Sequence, residues 1–209
     1  MQADFRRSFV KQAAALGLAG LAQAQSRERL KVGLVGCGGR GTQAAVDTLT
    51  GNENVELVAM ADIFEDHLEG SLGRLRDARF AGQRAGDDSR PREEVVASMQ
   101  KRIRVEPDHH FVGFEAYKKM MASDIDIVML CTPPGYRPIH FEAAVEAGKH
   151  VFTEKPIATD PVGTRRFMAA AKKAAEKKLT VVSGAQRHAH REYVETVAKI
   201  HNGDRKSVV

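Results

Sequence analysis

The chain has no tryptophan, three tyrosines and nine phenylalanines, so aromatic residues make up only 6% of its 209 positions. Nucleic-acid binding by stacked bases needs aromatics interleaved with a basic stripe, and that pattern is lacking. The net charge of +5 does not supply it. Arg6, Arg7 and Lys11 against Asp4 account for two of those charges, and Arg205 and Lys206 against Asp204 for one, which leaves the body at +2. A nucleic-acid partner is not expected. Cysteine is equally scarce: Cys37 and Cys131 are too few for a disulfide framework, and whether they pair with one another stays open. No apolar run approaches the roughly 18 residues of a transmembrane helix, so stable membrane insertion is not expected either. What is left is ordinary globular usage, 43% apolar and 28% charged with 18 Gly and 7 Pro, which excludes a disordered, collagen-like or coiled-coil chain.

Both ends stand apart from this globular body. Asp4-Phe5-Arg6-Arg7-Ser8-Phe9-Val10-Lys11 precedes a mild apolar run, Ala13 to Ala22, and then Ala22-Gln23-Ala24. A basic start, a short apolar stretch and small residues at a cleavage point are the parts of an export signal. The paired arginines make it resemble the twin-arginine signal, an address rather than an anchor. Residues 1–24 are therefore expected to be a signal cleaved near Ala24, with the protein periplasmic or otherwise exported; an amphipathic first helix is the alternative. At the other end, the helical pattern of Tyr193, Val194, Val197 and Ile200 runs into Asn202-Gly203, a helix stop. Asp204-Arg205-Lys206-Ser207-Val208-Val209 resembles the translation of a common sequencing adapter, so residues 204–209 are expected to be a non-native tail rather than a genuine polar one.

From Leu30 onward, short apolar β-branched runs alternate with longer helical ones. Strands are predicted at Leu30–Val35, Val55–Ala61, Ile125–Cys131, His150–Thr153 and Leu179–Ser183, with a weaker one at His110–Val112. Helical spacing marks Thr42–Leu49, Phe64–Ala78, Phe114–Met121, Ile139–Ala147, Val162–Lys177 and Glu192–His201. Continuously apolar strands separated by helices indicate an α/β fold, a parallel sheet covered on both faces. Right-handed crossovers make it doubly wound. Residues 81–107, rich in Gly, Arg, Asp and Pro, interrupt the rhythm and read as a solvated surface insertion with one short helix at Glu93–Arg102; a substrate lid is the alternative.

The first strand leads into Gly36-Cys37-Gly38-Gly39-Arg40-Gly41, and a helix follows. G-x-G-x-x-G between a strand and a helix is the dinucleotide fingerprint. Gly36 permits the tight turn, Gly38 lets the backbone approach a pyrophosphate, and Gly41 lets helix and strand pack closely. The helix N-terminus then offers unpaired N–H groups and the positive end of its dipole. Asp62 ends the next strand, 21 residues after Gly41. An acid there accepts from the ribose hydroxyls and repels a 2′-phosphate, which favours NAD over NADP. Arg40 keeps NADP possible, since a guanidinium beside that ribose would tolerate the phosphate.

A second group of motifs follows: Cys131-Thr132-Pro133-Pro134, His140, and then Gly148-Lys149-His150-Val151-Phe152-Thr153-Glu154-Lys155-Pro156. With the glycine fingerprint, these residues resemble the glucose–fructose oxidoreductase/inositol dehydrogenase (Gfo/Idh/MocA) family over roughly residues 30–203. The resemblance implies an NAD(P)-binding Rossmann domain, here 30–184, and a second α/β domain of which 185–203 is the start. It places Lys155 as the catalytic residue beside the nicotinamide and the substrate hydroxyl, and Thr132 and Pro133 on the loop along the dinucleotide. Glu154 and His140 stand behind that loop, and Gln186 and Arg187 border the nicotinamide. The usual Asn after Thr-Pro is replaced by Pro134-Gly135. The chemistry of Lys155 agrees: at the carboxyl edge of a parallel sheet, a partly desolvated ammonium can pass a proton and stabilise an alkoxide. The Lys155–Pro156 bond is a candidate for cis geometry. His188-x-His190 and Asp108-His109-His110 lack a third ligand at defined spacing, so no metal site is expected.

The resulting expectation is an exported, NAD-dependent oxidoreductase acting on the secondary alcohol of a sugar or polyol, homo-oligomeric at full length. Two alternatives stay open. One is an NAD-dependent glycosidase of the same family, which would cleave glycosides without net NADH. The other is an NAD-binding but inactive fragment, because the Asp…His pair that family members draw from the second domain is not in this chain.

Overall fold

The computed structural model describes residues 29–77, 91–185 and 191–203. The signal-like segment 1–24, part of the 81–107 insertion, Gln186, Arg187, His188, His190 and the tail 204–209 lie outside the described residues. Among the described residues six strands alternate with helices in chain order: β1 Leu30–Val35, α1 Gly39–Gly51, β2 Val55–Asp62, α2 Glu65–Arg76, α3 Arg92–Gln100, β3 His110–Val112, α4 Ala116–Met121, β4 Ile127–Leu130, α5 Arg137–Glu146, β5 His150–Thr153, α6 Pro161–Glu176, β6 Val181–Ser183 and α7 Arg191–His201. A single 3-10 turn, Pro107–His109, leads into β3.

All neighbouring strands are parallel, in the order β3-β2-β1-β4-β5-β6. The chain starts in the middle, winds out to β3, returns, and winds out again to β6. This is the doubly wound arrangement, and its direction reverses between β1 and β4. Two apolar cores result, one on each face. Leu34, Leu57 and Met60 pack with Leu49, Leu68, Leu72 and Met99 from α1, α2 and α3. Val35, Val128 and Leu130 pack with Met120, Phe141 and Phe167 from α4, α5 and α6. Phe141 and Phe167 stack with ring centroids 4.0 Å apart, a pair contributing about 1 kcal/mol beyond its burial. Local signals agree with the elements. Asp160 caps α6 by accepting from the Gly163 N–H at 2.8 Å, with Pro161 in the first turn. Helix α2 carries Glu65 and Asp66 in its first turn and Arg74 and Arg76 in its last, matching its dipole.

The 81–107 insertion is not simply a solvated excursion. Its described part includes α3, which buries Val95 and Met99, the latter in the core beside α1. Arg102 is only 2% exposed. Its guanidinium donates to the carbonyls of Leu49 (2.5 Å), Asn52 (2.7 Å), Val55 (3.4 Å) and Ser98 (3.0 Å). The first two are carbonyls at the C-terminal end of α1, which have no partner within the helix. Ile103 then bridges Leu57 of β2 in parallel. Helix α7 has no buried residue, and Tyr193, Val194, Val197 and Ile200 are exposed along it. Among the described residues no helix is long and apolar enough to cross a membrane.

Candidate functional site

The turn after β1 and the turn after β4 meet at the point where the sheet reverses. Gly36 has φ +94°, a left-handed conformation open to glycine, and a Cβ there would lie 2.7 Å from the Thr132 backbone nitrogen. A Cβ on Gly41 would sit 1.8 Å from the Gly36 carbonyl oxygen, so α1 reaches its position against the turn only because residue 41 has no side chain. Gly38 caps α1 at its N-terminus and has open space in front of it. The backbone N–H groups of the first turn thus face a cavity of about 560 Å³, within the range of about 300–1,000 Å³ typical of small-molecule sites.

Asp62 closes one side of this cavity. Its Oδ2 accepts from the Cys37 N–H at 2.6 Å and its Oδ1 from the Phe64 N–H at 3.0 Å. The carboxylate therefore both ties the glycine turn to β2 and lines the cavity. Thr132, Pro133 and His140 also line it. The Thr132 hydroxyl and His140 Nδ1 are 3.2 Å apart, and the imidazole packs against Tyr117 (centroids 4.3 Å) and stacks on Tyr136 (6.1 Å). Burial lowers the His140 pKa to about 4, so the ring is neutral at physiological pH.

Arg40 is engaged by two carboxylates. Its Nε and Nη2 lie 2.7 and 2.6 Å from Glu154 Oε1, and Nη1 lies 3.4 Å from Asp47. Burial works against its charge, but the hydrogen bonds and charges of Glu154 and Asp47 outweigh this and raise its pKa. Glu154 is 2% exposed and is joined to the cavity through Arg40. Its other oxygen accepts from the Lys155 N–H at 3.3 Å. The Lys155–Pro156 bond is cis. Among the described residues Lys155 is exposed, at the carboxyl end of β5.

Most of the expected dinucleotide residues converge. Gly36, Gly38, Arg40, Gly41, Asp62, Thr132, Pro133 and His140 line one cavity. Cys37 contributes its backbone N–H, while its thiol turns inward toward the Ala61 carbonyl. Gly39, the first residue of α1, Glu154 and Lys155 lie outside the lining. Gln186 and Arg187 lie outside the described residues. Cys37 and Cys131 are separate thiols. Burial, with the charge of Glu154, pushes Cys131 up to about 12, and burial with Asp62 pushes Cys37 up as well, so neither is a thiolate at neutral pH. Sequence reading missed an aromatic rim, Phe64, Phe114 and Tyr136, together with His67 and Arg137. A signal for the first two was present, because each falls just beyond a strand's carboxyl end. Among the described residues no three His, Cys, Asp or Glu side chains gather as a metal cluster.

A glycine turn at the switch point, a helix N-terminus aimed into the cleft and an acid at the end of the second strand define a Rossmann dinucleotide-binding domain. Comparison with known proteins is more specific. The oxidoreductase family with an NAD-binding Rossmann fold, GFO_IDH_MocA, matches residues 30–183, and the chain belongs to it. Inositol 2-dehydrogenase from Rhodococcus erythropolis is 32% identical over 139 residues, covering 66% of this chain and 37% of that protein. The crystal structure of scyllo-inositol dehydrogenase from Lactobacillus casei with bound NAD(H) and scyllo-inositol aligns with a TM-score of 0.59 and 22% identity, over 84% of this chain and 42% of that one. A 3-ketoreductase from Actinomadura kijaniata, in complex with NADP and TDP-benzene, aligns with a TM-score of 0.57 and 22% identity, over 84% and 44%. At these identities the structural likeness shows the fold. The chain spans less than half the length of these relatives.

Proposed function

We propose that this chain is the dinucleotide-binding part of a dehydrogenase acting on a secondary alcohol of a sugar or polyol, with NAD preferred over NADP. The observation that carries it is Asp62, whose carboxylate stands in the cleft facing the glycine turn, where it accepts from ribose hydroxyls and disfavours a 2′-phosphate. The pairing of Arg40 with Glu154 and Asp47 supports the same preference, because its guanidinium is already engaged by two carboxylates. The residues fit the cofactor: glycines where a Cβ would block the approach, a helix N-terminus for the diphosphate, and exposed rings of Phe64 and Phe114 at the Asp62 end for adenine stacking. When bound, the nicotinamide supplies the hydride acceptor or donor.

The remaining chemistry belongs to the chain. Lys155, at the carboxyl end of β5, holds the substrate hydroxyl and moves its proton, and its positive charge stabilises the developing alkoxide. Neutral His140 fixes the Thr132–Pro133 turn instead of serving as an acid. Residues 185–203 begin a second α/β domain that covers Lys155 and completes the substrate pocket. The paired arginines and apolar run of residues 1–24 support export by the twin-arginine route. The test uses the full coding product. NADH should bind at least about tenfold tighter than NADPH, followed by nicotinamide fluorescence. Lys155→Met should lower kcat on the preferred polyol at least about a hundredfold without changing NADH affinity. No NADH binding, or full activity in Lys155→Met, overturns the assignment; glycoside cleavage without net NADH points to the glycosidase branch.

A further inference from the structure

Arg137 is the first residue of α5 and stands in the wall of the same cavity, only 6% exposed. Its Nη1 donates to the Pro156 carbonyl, directly after the Lys155 turn. Its Nε is buried with no acceptor. Among the described residues it has no ion-pair partner, and the acid that acts on it electrostatically, Glu154, is already held by Arg40. A guanidinium cannot shed its proton at any physiological pH, and a buried cation without a counter-charge is destabilising. The N-terminus of α5 adds to the imbalance. No side chain caps this ten-residue helix, so the positive end of its dipole reinforces the guanidinium. The diphosphate of a dinucleotide has its own cradle at Gly36–Gly41 and α1, which leaves this second positive centre, on another helix and tied to the Lys155 turn, without a ligand.

We propose that Arg137 and the N-terminus of α5 form an anion subsite for a carboxylate or phosphate group carried by the substrate, so that the alcohol oxidised is that of an acidic sugar or polyol derivative. This rests on the dehydrogenase reading above and narrows its substrate class. A planar guanidinium with one edge fixed on the Pro156 carbonyl presents its remaining donors in a set direction, as recognition of an oxyanion requires. The anion would then be anchored next to the turn that carries Lys155, which orients the neighbouring hydroxyl toward it.

The full-length protein, saturated with NADH, is titrated by calorimetry with D-glucuronate, D-glucose 6-phosphate and neutral myo-inositol. One of the two anions should bind at least about tenfold tighter than myo-inositol, and the one that does identifies the group. Arg137→Gln should abolish that preference while NADH affinity moves by less than about twofold, and Arg137→Lys should retain part of it through charge alone. Circular-dichroism melts establish that each variant is folded; if Arg137→Gln is not, Arg137→Lys against the unsubstituted protein carries the comparison. Anions that bind no better than myo-inositol overturn the subsite. So does an Arg137→Gln variant that keeps the preference but loses NADH affinity tenfold, since Arg137 would then serve the dinucleotide's own phosphates. Failure of the unsubstituted protein to bind NADH is read first, and overturns the dehydrogenase assignment itself.

Discussion

The neutral state of His140 gives a stability profile that can be calculated. Burial between Tyr117 and Tyr136 holds the imidazole at about 4 in the folded protein, against an ordinary value of 6.5. Above pH 6.5 the ring is uncharged in both folded and unfolded chains, and it costs nothing. As the pH falls below 6.5 the unfolded chain takes up a proton that the folded protein refuses, so stability is lost, by up to about 1.4 kcal/mol per pH unit. The loss ends near pH 4, where the folded protein binds the proton too. From pH 6.5 to 5 it amounts to about 2 kcal/mol. The perturbation is His140→Gln, which keeps a polar group opposite the Thr132 hydroxyl but does not titrate. At pH 7.5 the variant should be the less stable protein, because the ring packing is gone. Urea unfolding at pH 7.5, 6.5, 5.5 and 5.0 should show that gap closing by about 2 kcal/mol as the pH is lowered. A gap that stays constant with pH refutes the reasoning, and would mean that His140 titrates in the folded protein as it does in water.

Two further outcomes follow from the geometry. Asp62→Ala removes the charged acceptor from the Cys37 and Phe64 N–H groups as well as from the ribose; at about 1.5–3 kcal/mol per charged hydrogen bond, NADH affinity should fall about ten- to a hundredfold. NADPH affinity should fall less, so fluorescence titration of both nucleotides should show the ratio narrowing, and an unchanged ratio counts against Asp62 as the selecting group. Arg102→Ala leaves buried carbonyls at the end of α1 without a donor and should lower unfolding stability by about 3 kcal/mol with NADH affinity unaltered; a folded variant of unchanged stability with weakened NADH binding would contradict that division.

The sheet and the glycine turn were legible because their signals are local. Strand β1 and strand β5 have the bounds that their apolar runs suggest, since each is enclosed on both faces and bounded by turn residues. Helix α1 begins at Gly39, three residues before the start that helical spacing marks at Thr42, because the fingerprint itself winds into the first turn. Asp62 was legible from its spacing alone. The partners of Arg40 were not: Glu154 lies 114 residues away in sequence, and only the sheet order brings β5 next to the turn after β1. Arg102 was hidden for the same reason, a lone arginine in a polar stretch whose acceptors lie about 50 residues upstream. Lys155 falls just past the end of β5, as the apolar run before it suggests, and is exposed among the described residues.

Arg102 also bears on how this protein can change over time. Its bonds reach the C-terminal end of α1 and the first residue of β2, the end of the sheet opposite Asp62, separated by the length of an eight-residue strand, about 25 Å. Helix α3, which Arg102 follows, is thus held at the far side of the domain from the cleft. Exchanges on its exposed face leave the grip on the nucleotide undisturbed.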